Sequence, residues 1–563
     1  MRSIGELLAR RASLTPHRGG YFFRDPFGTL VHFDWANVYR RVLNLTESLN
    51  RLGIQSGNMV AICGKNSCEW AIVDLAIATL GAVSVGLDET WPAKRIVEYM
   101  ADLNVKYIVL GREQMQAPQE LFVNPQKYEL TQIAGCEGGL RYILSNPESV
   151  LSRPSVSASG DIATIVFTSG SDGKAKPAMI SHRAILNLVE RISESHRPMS
   201  EIRLISYLPL CHAIGRLLSI YLPLNEGGSV YFSRGYEHLA DELRSVRPTV
   251  FLGVPRVWEK IQSGIEDKLA RTPLKNIRIN ELLSGSANGK KSMRRLTRSV
   301  MRRIIRYRVG LNKAELLLSG AAPLNTRVQT ALHNWGLTVV EAYGQTESIV
   351  TTLSTPNCFR VGTVGRPLNG TEVRVSSDGE LLIMNNYLFS GYYADSVGTS
   401  ETVENGWLRS GDLGTVDADG FVSVFGRKKS ILITSVGNKI AAEPIENMLN
   451  QIPTVGQAIV IGNGRKYLVA LIAPSKEFAS ATERARSIAD IDGVIEQFNM
   501  NSAPYERIGG YRLIDRPFSG DLGESTRLGK PIRNCIEKNF ASTIAEMYEE
   551  NRINKALKAS VGA

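Results

Sequence analysis

The stretch "WAIVDLAIATLGAVSVGL", Trp70–Leu87, narrows most sharply what this chain can become. It is apolar enough to suggest a membrane span, yet Asp74 interrupts it and Gly81 divides it. A charge inside a spanning segment is expensive, and a glycine at the end of a helical run is a stop signal. The first half reads as a core helix and the valine-rich second half as a core strand.

That helix–strand alternation repeats. Residues 36–62 read as helix, turn at "SGN" and strand "MVAIC", and the pattern returns over 94–110, 182–232 and 238–253. Alternation of this kind predicts α/β architecture with mainly parallel sheets. From about 355 to 426 short strands and turns dominate, as in "GTVGRPLNGTEVRVSSDGELLIM" and "DADGFVSVFG", which predicts a β-rich subdomain. "GRKKS" follows and a new α/β pattern begins. With 563 residues the chain is too long for one core. The expected organisation is an N-terminal domain over 1–426, a hinge at 427–429 and a C-terminal domain over 430–563.

The net charge of +11 favours anionic partners such as nucleotides, coenzymes, acidic carrier proteins and membrane surfaces. Nucleic acid is not expected, because no aromatic–basic platform or zinc-ligand spacing occurs. The six cysteines form no CxxC pair, which fits free thiols in a reducing cytosol. The N-terminus "MRSIGELLARRASLTPHR" has no signal-peptide core and reads as an amphipathic helix ending before Pro16. A cytoplasmic protein is the expectation. The basic segment 289–310, "GKKSMRRLTRSVMRRIIRYRVG", places Met293, Leu296, Val300, Ile304 and Ile305 on one helical face among arginines. It reads either as a solvated helix with an ordinary core stripe or as a peripheral contact with an anionic membrane or a carrier protein.

Five polar stretches carry the chemistry. "TSGSDGKAKP", Thr168–Pro177, follows the apolar run "DIATIVF". Its glycine-to-lysine spacing is not that of a Walker loop, and Ala175 stands where a magnesium-binding hydroxyl would be. Backbone N–H groups and hydroxyls in such a turn still suit phosphate. "SGAAPLN" (Ser319–Asn325), "EAYGQTE" (Glu341–Glu347), "LRSGDLG" (Leu408–Gly414, read as preceding a β-hairpin) and "GESTRLGKPIR" (Gly523–Arg533) each have a bland alternative as loop, core aromatic, turn cap or surface lysine. Their order and chemistry together are hard to obtain by chance.

With these stretches the chain resembles the adenylate-forming superfamily of acyl-CoA synthetases, luciferases and adenylation domains. "YLPLCHAIGR" (Tyr207–Arg216), "VRPTVFLGVPRVWEKI" (Val246–Ile261) and "VGTVGRPLNGTEVRV" (Val361–Val375) look most like its long-chain fatty acyl-CoA synthetases. The resemblance implies an N-terminal domain of two α/β sheets plus the β-rich subdomain, and a small mobile α+β C-terminal domain. It implies ATP, Mg²⁺ and coenzyme A, a carboxylic acid substrate, and passage through an acyl-adenylate. The rival acceptor is the phosphopantetheine of an acyl carrier protein. A remote alternative is a non-catalytic acyl-binding scaffold.

Site residues follow from the same resemblance. Thr168, Ser169, Gly170, Ser171, Gly173 and Lys176 would hold the ATP phosphates. Gly320, Ala321 and Ala322 would line the adenine pocket, with Tyr343 stacked on the base and Gly344 beside it. Thr346 would touch the α-phosphate, and Glu347 with Ser171 would hold Mg²⁺. His212 would border the acyl carboxylate. Asp412 would take the ribose hydroxyls, with Arg427 on the ribose side. Lys429 falls at the hinge, Gly437 and Asn438 at the pantetheine tunnel, and Lys530 at the catalytic lysine. A carboxylate attacking a phosphate brings anion to anion, so cations must offset the repulsion where charge builds up. Asp172 stands where the family usually has threonine, and Pro177 where it has glycine. The acid adds repulsion that Lys174 and Lys176 are placed to neutralise.

Overall fold

The computed structural model describes residues 1–25, 27–111, 131–134, 158–168, 175–195, 201–270, 291–520, 522–525 and 531–550, the side chains of 131–134, 270 and 291–296 excepted. Its contacts form two units. One comprises Met1–Arg374, Leu382–Ser410 and Val416–Ser423, and the other Val375–Leu381, Gly411–Thr415 and Val424–Ala563.

In the first unit the stretch around Trp70–Leu87 forms a helix, Cys68–Leu80, and a strand, Val83–Leu87, all of whose residues are buried. Ser67 caps the helix by accepting from Trp70 N, and Gly81 ends it at φ 79°. The strand lies in a six-stranded sheet ordered Thr131–Ala134, Tyr107–Leu110, Met59–Cys63, Val83–Leu87, Ile162–Thr168, Lys176–Ser181. All neighbours are parallel except the last pair. A second sheet runs Val250–Gly253, Leu316–Ser319, Val339–Tyr343 in parallel, then Thr352–Leu353 and Arg366–Pro367 antiparallel. A smaller sheet joins Leu30–Phe33, Gly20–Arg24, Ser229–Phe232 and Arg203–Ser206. Parallel strands release their loops at one common edge, where ligands bind in open α/β sheets.

The second unit is built on Val455–Ile461, Leu468–Pro474 and Ile508–Leu513. Side chains alternate across it, as strand geometry requires. Ala458, Val460, Ala470 and Ile472 pack with Ile445, Leu449, Ile491 and Ile495, while Ile459, Ile461, Val469 and Leu471 pack with Ile536, Ile544 and Met547.

Two sequence expectations are corrected here. The segment "LRSGDLG" does not stand ahead of the hairpin but forms most of its first strand, Trp407–Val416, which pairs with Val422–Arg427. The helix Lys291–Val309 does not carry a single core stripe. Ile305 is buried with Met301 and Val309 packed against the same core, whereas Val300 and Ile304 are 49% and 54% exposed, and Tyr307 is 54% exposed. Positions 301, 305 and 309 form one face, and 300, 304 and 307 lie a residue's rotation, about 100°, further round. Nor are all its arginines solvated. Arg302 Nε donates to Asn334 O (2.8 Å), and Arg306 donates to Gly336 O (3.0 Å) and Ala314 O (2.5 Å). The Asn334 and Gly336 carbonyls lie at the C-terminal end of the helix Thr326–Asn334, where cations are favoured.

Candidate active site

Thr168 and Lys176 are register partners on the antiparallel strands Ile162–Thr168 and Lys176–Ser181. Ser169, Gly170, Ser171, Asp172, Gly173 and Lys174 lie outside the described residues. The chain 389–395, "FSGYYAD", runs along the second strand through Met179 N to Gly391 O (2.9 Å), Ser390 N to Met179 O (2.7 Å) and Tyr393 N to Pro177 O (2.9 Å). This return brings Tyr392 to Glu347. The tyrosine hydroxyl donates to Glu347 Oε1 at 2.5 Å. Burial and the neighbouring carboxylate push that hydroxyl's pKa well above its usual value, so it stays a donor. Lys176 Nζ lies 4.8 Å from the Tyr392 ring centre and 3.3 Å from Asp395 Oδ2.

"EAYGQTE" leaves the end of the strand Val339–Tyr343. Gly344 is demanded by a close approach, since a Cβ there would lie 2.1 Å from Ile349 O. The turn is closed by Thr351 N to Tyr343 O (2.8 Å) and Ile349 N to Gln345 O (2.5 Å). Tyr343 and Thr346 are half-buried, and Glu347 is buried. Tyr343 packs with Ala178, Phe389 and Tyr392. Glu341 is buried, accepts from Leu324 N at 3.1 Å, and is pushed up by burial to about 7.

"SGAAPLN" leaves the neighbouring parallel strand Leu316–Ser319. Ser319 and Gly320 are buried, while Ala321 and Ala322 are exposed. Ala321 holds φ +71°, a left-handed conformation that alanine rarely adopts and that concentrates at functional sites. Ser319 Oγ is buried without a hydrogen-bond partner among the described residues. Asn325 then caps the next helix by accepting from Arg327 N.

His212 is the N-cap residue of a short helix, Ala213–Arg216, and is half-buried. Arg216 is fully buried and lies 3.3 Å from Asp74. Its Nε donates to Leu210 O (2.8 Å) and its Nη1 to Ser84 Oγ (3.1 Å) and to Thr164 Oγ1.

In the second unit Arg427 Nε lies 2.8 Å from Asp412 Oδ1, and the Asp412 carboxylate is buried. Gly411 N donates to Glu380 Oε1 (3.0 Å), and Lys428 Nζ bridges Glu380 (2.9 Å) and Asp378 (2.6 Å). Lys429 is exposed in the turn Lys428–Ser430. Gly437 and Asn438 lie in the turn between Ile431–Ile433 and Lys439–Ala441, with Gly437 N donating to Thr434 O (2.9 Å). Lys530 lies outside the described residues. The chain on either side of it is tied down: Ser525 and Pro531 form a β-bridge, and Ile532 N donates to Glu524 O (2.8 Å).

Sequence reasoning missed Tyr392, Asp395 and Arg216. The first two were legible only as an aromatic turn, "FSGYYAD", and Arg216 as the last residue of "YLPLCHAIGR".

Two parallel strands deliver Gly320 and Tyr343 to one edge, beside a buried Glu347. Solved structures share the overall fold. ATP-bound MatB from Rhodopseudomonas palustris matches with a TM-score of 0.74 at 20% identity, covering 96% of this chain and 99% of that one. The anthranilate CoA ligase AuaEII in complex with anthranoyl-AMP matches with a TM-score of 0.75 at 18% identity, covering 95% and 97%.

The chain belongs to the AMP-binding enzyme family, whose profile matches residues 8–393, and the profile of the AMP-binding enzyme C-terminal domain matches residues 429–552. Among curated relatives, the long-chain-fatty-acid–CoA ligase FadD15 of Mycobacterium bovis is 30% identical over 89% of both chains. The long-chain-fatty-acid–CoA ligase ACSBG2 of Rattus norvegicus is 30% identical over 92% of this chain and 88% of that one. Among the described residues no helix is long and apolar enough to cross a membrane.

Proposed function

We propose that this protein activates a long-chain carboxylic acid with ATP to an acyl-adenylate and transfers the acyl group to coenzyme A. The observation that carries the reading is the likeness to long-chain-fatty-acid–CoA ligases along about nine tenths of both chains.

The donor chemistry fits magnesium, a hard cation that prefers carboxylate and hydroxyl oxygen. Glu347 and Ser171 would hold it. Bound there, the ion would clamp the ATP phosphates and ease pyrophosphate departure. Tyr392 satisfies one oxygen of Glu347 and thereby orients the carboxylate. Thr168, Ser169, Gly170, Gly173 and Lys176 would bind the phosphates, and Thr346 the α-phosphate. Gly320, Ala321, Ala322, Tyr343 and Gly344 would hold the adenine. Asp412, paired with Arg427, would accept from the ribose hydroxyls. His212 would border the acid's carboxylate. Lys530 would offset charge between carboxylate and α-phosphate, and Gly437 and Asn438 would line the thiol's path. The adenylate is prone to hydrolysis, so its surroundings must exclude water.

The exposed stripe Val300, Ile304 and Tyr307, flanked by exposed Arg303 and Arg308, supports a peripheral contact with an anionic lipid surface.

Pyrophosphate exchange across a panel of carboxylic acids tests the first half-reaction. Acceptor assays with coenzyme A and a phosphopantetheinylated carrier protein test the second. Strongest exchange with long-chain acids and transfer to coenzyme A is expected. Absence of exchange with every acid would overturn the reading.

A further inference from the structure

We propose that Asp88, Cys211 and His212 form a binding site for one divalent ion of the zinc type. Among the described residues they are the one grouping of three metal-ligating side chains, with their ligand atoms all within 4.8 Å of one another. All three are half-buried.

The fold builds this grouping from distant parts of the chain. Asp88 follows the end of the strand Val83–Leu87. Gly86 lets the 210–212 loop close onto that strand end, since a Cβ on Gly86 would lie 3.0 Å from Cys211 Cα. The loop is gripped from two sides. Asn66 Oδ1 accepts from Leu210 N (2.9 Å) and its amide donates to Leu208 O, while Arg216 Nε donates to Leu210 O (2.8 Å). His212 N donates to Pro209 O at 3.1 Å. The Asp88 carboxylate is fixed in turn, with Oδ1 accepting from Thr90 N (2.9 Å) and Thr90 Oγ1 (2.7 Å). Ligands held by such outer contacts are preorganised.

One sulfur, one imidazole nitrogen and one carboxylate oxygen suit zinc and do not suit the hard-oxygen demand of magnesium. Tetrahedral bonds of about 2.0–2.3 Å place ligand atoms roughly 3.3–3.8 Å apart. Side-chain rotations of about an ångström therefore complete the site. Three protein ligands leave a fourth position for water. Binding converts the Cys211 thiol to thiolate and releases its proton, with His212 neutral, so affinity rises with pH. Resting on the function proposed above, occupancy should also inhibit adenylation, because it engages His212.

The test titrates the full-length, chelator-stripped protein with Zn²⁺ against a chromophoric chelator, and with Co²⁺ to detect the thiolate-to-metal absorption band. One equivalent per chain and a thiolate band are expected. Cys211→Ser should abolish the band, and Cys211→Ser and Asp88→Asn should each weaken binding by more than the ~10–100-fold of an outer-shell change. Cys358→Ser should change nothing. Melting of each metal-free variant separates folding defects from ligand loss. No stoichiometric binding, or binding that survives Cys211→Ser in a folded variant, would overturn the site. The titration reads metal directly, so it stands whether or not pyrophosphate exchange is found.

Discussion

Tyr392 donates its hydroxyl to Glu347 Oε1 across 2.5 Å, although the two residues are far apart in sequence. The tyrosine fixes the carboxylate proposed to hold magnesium. Tyr392→Phe keeps the ring under Lys176 and removes only the hydrogen bond. The Mg²⁺ concentration for half-maximal pyrophosphate exchange should rise by about 10-fold, the scale of losing an outer-shell contact to a metal ligand. An unchanged magnesium dependence would detach Glu347 from the metal.

The role proposed for Lys530 would divide the two half-reactions. Lys530→Ala should cut pyrophosphate exchange by ~10²-fold or more, while conversion of supplied acyl-adenylate to thioester stays near the parent rate. Glu524 anchors the adjoining chain. Arg516 donates to both its oxygens (2.7 and 2.9 Å), and this pairing holds the carboxyl down at about 2. Glu524→Gln should give a smaller loss, about 10-fold, in the same half-reaction. Equal losses in both half-reactions for Lys530→Ala would refute the division.

Glu341 links stability to pH. Its carboxyl holds a proton up to about 7 in the folded chain but only to about the ordinary 4.5 once unfolded. Between those values the folded state binds the extra proton, so stability falls as pH rises through that window and levels off above it. Glu341→Gln removes the titration and keeps an oxygen for Leu324 N. Denaturant unfolding at about pH 8 should show the variant more stable by on the order of 3 kcal/mol, with the gain vanishing near pH 4.5. Identical pH profiles for the two proteins would sink this account.

Arg303 and Arg308 test the lipid contact, because Arg302 and Arg306 already bind carbonyls. Reversing the first two to Glu, with Ile304→Ser, should abolish sedimentation with anionic vesicles and leave exchange with a short acid intact. The electrostatic share is about 1 kcal/mol per arginine. Vesicle binding that persists would assign the stripe to another use.

The helix Cys68–Leu80 and strand Val83–Leu87 were legible because a charge and a glycine punctuate an otherwise apolar run. The basic helix was legible as a helix but not in its orientation. Its apolar positions spread over too wide an arc for periodicity alone to choose the face that carries Ile305. The polar stretches showed residue types suited to nucleotide chemistry. The partners Tyr392 and Asp395 stayed hidden, because they reach Glu347 and Lys176 through a chain return that no local period records.

Arg216 and Asp74, buried together at 3.3 Å, also constrain how such chains diversify. Losing either partner alone strands a buried charge at about 3–5 kcal/mol, a large share of a typical domain's ~5–15 kcal/mol margin. Exchanging both for apolar groups is often neutral. Drift therefore meets a barrier at each single step that the double change avoids. In a chimera, a crossover between residues 74 and 216 inherits one half of the pair from each parent. Recombination libraries of this family should accordingly be depleted in junctions that separate these two positions whenever the parents differ there.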